Sequence, residues 1–136
     1  MKTLSIVWID DDCHVIDPVL WRLREDGYKI TSFRSIVDAD IETLKSCDLI
    51  ILDIFLDRDE EKYGRYAGFE FLKAMRGELG IETPVMVFTV ARQGLFTDNE
   101  TLSKLGVVDY FLKPISSSEL RDAVYAWVEV KNDTRT

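Results

Sequence analysis

Four places in this chain carry residue types that could do chemistry, and each follows an apolar run. Asp10-Asp11-Asp12 follow residues 4–9, and Asp53 follows Leu49-Ile50-Ile51-Leu52. Thr89 closes the run 84–89, and Lys113-Pro114 follow the run 108–112. Brought together, they would form a pocket of clustered carboxylates with one hydroxyl and one ammonium. Crowded carboxylates repel and raise each other's pKa unless a cation is bound. Oxygen ligands without histidine or thiolate favour a hard ion such as Mg²⁺, which takes one or two carboxylates, waters and a phosphate oxygen. A lysine and a threonine hydroxyl beside that ion suit phosphoryl oxygens. The set therefore points to phosphoryl transfer with a carboxylate as nucleophile. Taken singly, the same residues have ordinary structural roles, since an aspartate after a strand is often a helix N-cap, as Asp12 could be.

The elements that must position these residues are legible as an alternation. Five apolar runs, 4–9, 28–33, 48–54, 84–89 and 108–112, are mostly rich in valine, isoleucine, phenylalanine or tyrosine and read as strands. The first and third are nearly continuous, as strands covered by helices on both faces are. Helix-like stretches separate the runs. Val15, Ile16, Val19, Leu20 and Leu23 repeat at helical spacing up to Gly27, with Pro18 early in the segment. Ser35 is positioned to cap a second helix holding Ile41 and Leu44. Gly68 precedes Phe69, Leu72 and Met75; Thr97 is placed to cap a helix closed by Gly106; Ser116–Ser118 open the last, with Leu120, Val124, Trp127 and Val128 on one stripe. Strand–helix repeated five times predicts an α/β fold with a parallel sheet and right-handed crossovers. In such sheets ligands bind at the carboxyl ends of the strands, where all four chemical features fall. The domain is expected over 1–130, with 131–136 a polar tail.

Composition narrows the partners. The 136 residues hold 25 acids against 17 lysines and arginines, a formal charge of -8. That balance argues against direct contact with nucleic acid or an anionic membrane, both of which are held by basic residues. No apolar run approaches the roughly 20 residues that span a bilayer. The N-terminus does not read as a signal peptide, and Cys13 and Cys47 show neither a disulfide framework nor metal-type spacing, so a cytoplasmic setting is expected. His14 reads as a surface residue of the first helix, Trp8 and Trp127 as core, and Trp21, off the apolar stripe, as exposed or edge-packed.

Taken in order, Asp10-Asp11, Asp53, Thr89, Tyr110 in Asp-Tyr-Phe-Leu-Lys-Pro, Lys113-Pro114 and Gly68-Phe-Glu-Phe-Leu resemble the receiver domain of two-component response regulators, over nearly the whole chain. The resemblance implies a flavodoxin-like (βα)5 fold, a doubly wound five-stranded parallel sheet in the order 2-1-3-4-5. It implies that Asp53 is the phosphoacceptor, attacking a phosphohistidine on a histidine kinase or histidine phosphotransfer protein. Mg²⁺ or Mn²⁺ would be held by Asp11 and Asp53, by Asp10 chiefly through water, and by the backbone carbonyl of Phe55. Lys113 would pair with the acceptor and then its phosphoryl group. Thr89 would bond a phosphoryl oxygen, and Tyr110 would swing inward as Thr89 moves. The output would be altered affinity for a downstream protein or an effector domain, with homodimerisation through the fourth helix, fifth strand and fifth helix a common family arrangement. Catalysis would be limited to self-phosphorylation and slow self-dephosphorylation. Two rivals stand beside this: a pseudo-receiver that binds partners without phosphorylation, and an aspartate-nucleophile phosphohydrolase. The hydrolase is disfavoured because Phe55 occupies the place, two past Asp53, where such enzymes usually carry a general acid.

Three departures from the family pattern carry expectations. Gly68 lies 15 residues past Asp53, farther than usual, so residues 55–67 form an insert made acidic by Asp57, Asp59, Glu60 and Glu61. It reads as a solvated loop or, more sharply, as a lid or docking element. Phe55 and Ala91, two past the acceptor and two past Thr89, cannot hydrogen-bond an attacking water, so a long-lived phosphoryl group is expected. Val90 stands where a smaller residue is usual and should narrow access. Val90→Ala should therefore speed phosphorylation by small phosphodonors, or hydrolysis, in a time course followed by intact mass; no change in either rate would refute the idea.

Overall fold

The computed structural model describes residues 4–11, 20–56, 59–90, 99–113 and 116–133. Five strands, β1 (Ser5–Ile9), β2 (Lys29–Phe33), β3 (Leu49–Asp53), β4 (Val85–Val90) and β5 (Val107–Lys113), pair in parallel in the order β2-β1-β3-β4-β5. This is the flavodoxin-like order that the resemblance implies. Each strand begins and ends within one residue of its apolar run.

Side-chain alternation divides the core in two. Val7, Ile9, Ile50, Leu52 and Val87 face one way, onto Leu44 of α2 (Ile41–Ser46) and Phe71, Leu72 and Met75 of α4 (Ala67–Arg76). Ile6, Trp8, Ile51 and Phe88 face the other way, onto Leu20 and Leu23 of a helix over 20–25 (α1) and Leu120 and Val124 of α6 (Ser117–Asp133). Every residue of β3 is buried. Each fully buried aliphatic side chain contributes roughly 1.5–3 kcal/mol, so the sheet's centre carries much of the fold's stability.

Helix ends follow the sequence in part. Gly27 closes the first helical stretch with φ +97°, which glycine adopts without strain. The Ser116 hydroxyl accepts the N–H of Glu119 at 3.1 Å and caps α6. Asp40, not Ser35, caps α2: its carboxylate accepts the N–H of Thr43 at 3.3 Å and the Thr43 hydroxyl at 2.7 Å. Ser35 instead accepts the N–H of Asp38 in the turn before it. The helix between β4 and β5 is α5 (Asn99–Lys104); Thr97 lies outside the described residues. α6 runs through Asp133, three residues beyond the point where the sequence suggests a polar tail.

The described part of the insert carries a helix of its own, α3 (Glu60–Tyr63). Leu56 and Ala67 are buried, and Tyr63 and Tyr66 pack at the core margin, the latter 5.5 Å from the Phe55 ring. The solvated reading holds for Glu60, Glu61 and Lys62, which are exposed, and fails for Asp59, which is buried.

Two contacts fix α4. At its far end the Arg76 guanidinium donates to the carbonyls of Leu105, Ile81 and Thr83 at 2.6–2.7 Å, and burial lowers its pKa. At its start Gly68, in the first turn, lies against the backbone of Asp53. A Cβ there would overlap the Asp53 carbonyl oxygen and come within 2.8 Å of the Ile54 Cα. Backbone on both sides leaves no soft partner to yield. Gly68→Ala should therefore destabilise the fold by about 1–3 kcal/mol, despite alanine's better helix propensity. Urea unfolding is the measurement, and an unchanged or raised midpoint would contradict the contact.

Candidate metal and phosphoacceptor site

Strand register assembles the acidic site. Ile9 pairs with Leu52, so the next residue on each strand, Asp10 and Asp53, emerges side by side at the carboxyl end of the sheet. The Asp10 N–H donates to the Phe33 carbonyl at 3.0 Å, tying the end of β1 to the end of β2. Asp11 follows in a turn and is half-buried. One carboxylate oxygen from each of Asp10, Asp11 and Asp53 lies within 4.8 Å of the others. Asp10 is fully buried and Asp53 only 4% exposed. One Asp53 oxygen, Oδ1, accepts the N–H of Phe55 at 3.0 Å.

The donor set fits a hard divalent cation. It is all oxygen and compact, as such an ion requires. Phe55 lies two residues past Asp53, and its N–H bond to that carboxylate keeps its backbone beside the acceptor.

Adjacent strands bring the remaining predicted residues to the same edge. Asp53 pairs with Phe88, so Thr89 comes one position farther along β4; Thr89 is in register with Leu112, and Val90 with Lys113. The side chains of Thr89, Val90 and Lys113 are not among those described, and Asp12, Cys13, His14, Asp57, Ala91 and Pro114 lie outside the described residues. β5 carries an irregularity: Val85 pairs with Val107 but Met86 with Asp109, so Val108 is an extra, bulged residue. The bulge shifts the phase of everything beyond it. Tyr110 therefore faces the same way as Val87, toward the α4 side of the core, and Phe111 stacks on Phe88 at 4.8 Å. The Tyr110 hydroxyl is buried without a hydrogen-bond partner among the described residues, and burial raises its pKa.

Sequence reasoning missed two residues near the site. Gly68 is noticeable in the sequence as a helix opener, but its role is close approach to Asp53. Asp59 hides within an acidic stretch; its Oδ2 accepts the N–H of Ile36 at 2.9 Å in a buried contact. The faint signal was its place just ahead of Glu60-Glu61, where an acid suits a helix start. Other expectations hold: Trp8 is core, Trp21 is 61% exposed, and Cys47 is a free buried thiol pushed up to about 11 by burial. Among the described residues no helix is long and apolar enough to cross a membrane.

Comparison with known proteins agrees with the fold. "Two-component response regulator EHD1" of Oryza sativa subsp. indica is 28% identical over 123 residues, covering 86% of this chain and 32% of that protein. "Alginate biosynthesis transcriptional regulatory protein AlgB" of Pseudomonas syringae pv. tomato is 28% identical over 129 residues, covering 93% of this chain and 26% of that one. The chain thus spans about a third or less of the length of these relatives. A CheY-like receiver domain protein from Methanospirillum hungatei superposes with a TM-score of 0.74 at 16% identity, covering 98% of this chain and 99% of that one. The signal receiver domain of a Luxo repressor protein from Vibrio parahaemolyticus gives 0.73 at 19% identity, covering 99% of each chain. The family profile described as "Response regulator receiver domain" matches residues 6–125, nearly the whole of the strand–helix alternation, and the chain belongs to that family.

Proposed function

We propose that this receiver domain is a phosphoacceptor switch whose acceptor is Asp53. The observation that carries the reading is the convergence of Asp10, Asp11 and Asp53 within 4.8 Å at the end of the central strands. An Asp53 carboxylate oxygen attacks the phosphorus of a phosphohistidine on a histidine kinase or phosphotransfer protein. The P–N bond breaks, and the imidazole leaves with the electron pair and takes up a proton. Asp10, Asp11, Asp53 and the Phe55 carbonyl would hold Mg²⁺ or Mn²⁺, which when bound offsets carboxylate repulsion and developing phosphoryl charge. The Phe55 N–H orients Asp53 through Oδ1. Lys113 and Thr89, at the neighbouring strand ends, are assigned to the phosphoryl oxygens.

Phosphorylation adds about -1.5 to -2 charges and strong acceptors to this edge. New bonds from Thr89 and Lys113 would bias the ends of β4 and β5 between two arrangements. Tyr110, with its hydroxyl already buried, supports an inward state as one of the two. The output surface is assigned to α5, β5 and α6, where Val108 and Leu112 are 46% and 48% exposed on the edge strand. Apolar exposure there suits a downstream protein, an effector domain or a second copy. A cytoplasmic setting belongs to the same reading. The chain has no catalytic task beyond self-phosphorylation and slow self-dephosphorylation.

The alternative, a phosphorylation-independent binding module, draws on the near closure of the acceptor at 4% exposure. Incubation with Mg²⁺ and acetyl phosphate or a kinase, followed by intact mass, separates the two. The switch expects one added phosphoryl group, absent in Asp53→Ala and abolished by chelation; no adduct with any donor favours the binding module. The adduct should also persist for minutes or longer once donor is removed, because Phe55 offers no group to position water. Loss within seconds in a quench time course would count against that apolar shielding.

A further inference from the structure

Among the described residues, Asp59 is the one acid of the insert that the fold puts inside. It is 1% exposed, while Glu60 and Glu61 beside it are exposed. Its Oδ2 accepts the Ile36 N–H at 2.9 Å, and its Oδ1 is buried with no hydrogen-bond partner among the described residues. Desolvating a carboxylate costs several kcal/mol, and one neutral N–H returns only part of that. An acid so placed is poorly explained by stability alone.

Its position explains it better. The Phe55 carbonyl lies in a stretch, 53–56, that is held at several points, and Asp59 follows it. The Phe55 N–H donates to Asp53, the Ile54 carbonyl accepts the Gly68 N–H at 2.9 Å, and the Leu56 carbonyl accepts the Asp59 N–H at 2.9 Å. The Asp59 carboxylate then reaches across to Ile36. The other arm of the site leans on the same stretch, because the Asp10 N–H donates to the Phe33 carbonyl at 3.0 Å. Residues 33–36 therefore brace both the chain that carries Asp10 and the chain that carries Phe55.

We propose that Asp59 is a positioning residue for the cation. By clamping residues 33–36 it fixes the Phe55 carbonyl relative to Asp10, Asp11 and Asp53. The proposal rests on the metal reading above and adds a support for it that lies outside the ligand set. Groups that orient metal ligands typically account for 10–100-fold in metal affinity. Coupling of this kind is reciprocal, so metal binding must in turn protect the clamp.

The test is Mn²⁺ affinity, read from the electron paramagnetic resonance signal of the free ion, alongside the melting temperature in chelator. Asp59→Ala should weaken Mn²⁺ binding about tenfold or more. Asp59→Asn keeps an oxygen for the Ile36 N–H and should restore most of the affinity. Wild-type affinity in Asp59→Ala, even with a lowered melting temperature, would overturn the proposal and leave Asp59 a structural residue only. Should Asp59→Ala fail to fold, hydrogen exchange on the wild type decides: saturating Mg²⁺ should slow exchange of the Ile36 amide, and an unchanged Ile36 rate beside protection at 53–55 would overturn the clamp. Absence of Mn²⁺ uptake by the wild type would overturn the metal reading itself, a different failure from a wild type that binds while Ile36 and Asp59 play no part.

Discussion

Like charge crowded into a nearly dry corner is the constraint on which this structure turns. Three carboxylates share a space less than 5 Å across, and two of them are buried. Carboxylates this close repel one another. They stay because they are mounted on backbone that cannot retreat. β3 is buried at every residue, β1 is locked between β2 and β3, and the Asp10 N–H is held by Phe33. The hydrophobic core thus works against the electrostatics of its own edge. The strain is relieved only by groups that bring positive charge or N–H donors to the carboxylates, as the Phe55 N–H does for Asp53.

That opposition explains why so much of the centre was legible in the sequence. Strands covered on both faces must be nearly continuous apolar runs, and a run that stops abruptly at an aspartate marks both the strand and its functional end. The edges obey weaker rules. Ser35 and Asp40 are both competent caps, and the helix took the one whose carboxylate reaches Thr43 twice. Asp59 and Glu60 are both acids in a charged stretch; composition says that each should be wet, and only the path of the chain past Ile36 puts Asp59 inside. Cap choice and burial of a single acid depend on tertiary contacts that periodicity does not encode.

The bulge at Val108 shows the same limit with larger consequences. A one-residue shift turns every later side chain to the opposite face. Unbulged, Tyr110 would lie in register with Phe88, among the aromatics packed toward α1 and α6. With the bulge it lies beside Val87 on the α4 side, and its place next to Phe88 goes to Phe111. The same shift sets Lys113 level with Val90, one step past Thr89. One unpaired residue at the edge of the sheet therefore decides which side of the core the aromatic switch candidate occupies and how far along the sheet the lysine sits.

The insert raises the question of how a chain lengthens beside such a site without spoiling it. Both its ends are fastened to the acceptor strand. It departs through Phe55, whose N–H bonds Asp53, and returns at Gly68, whose N–H bonds Ile54 and whose missing Cβ lets the helix rest on the Asp53 backbone. Start and finish therefore lie side by side at the acceptor strand. Lengthening a closed loop is cheap, about 0.6 kcal/mol per doubling for a flexible chain. Here that cost is offset by burial of Leu56 and Ala67 and by packing of Tyr63 on Phe71. A short connection could satisfy the same two end contacts but could not also reach Ile36. The insert thus gives the acceptor loop a hold on the turn that follows β2, close to the strand end that already holds Asp10.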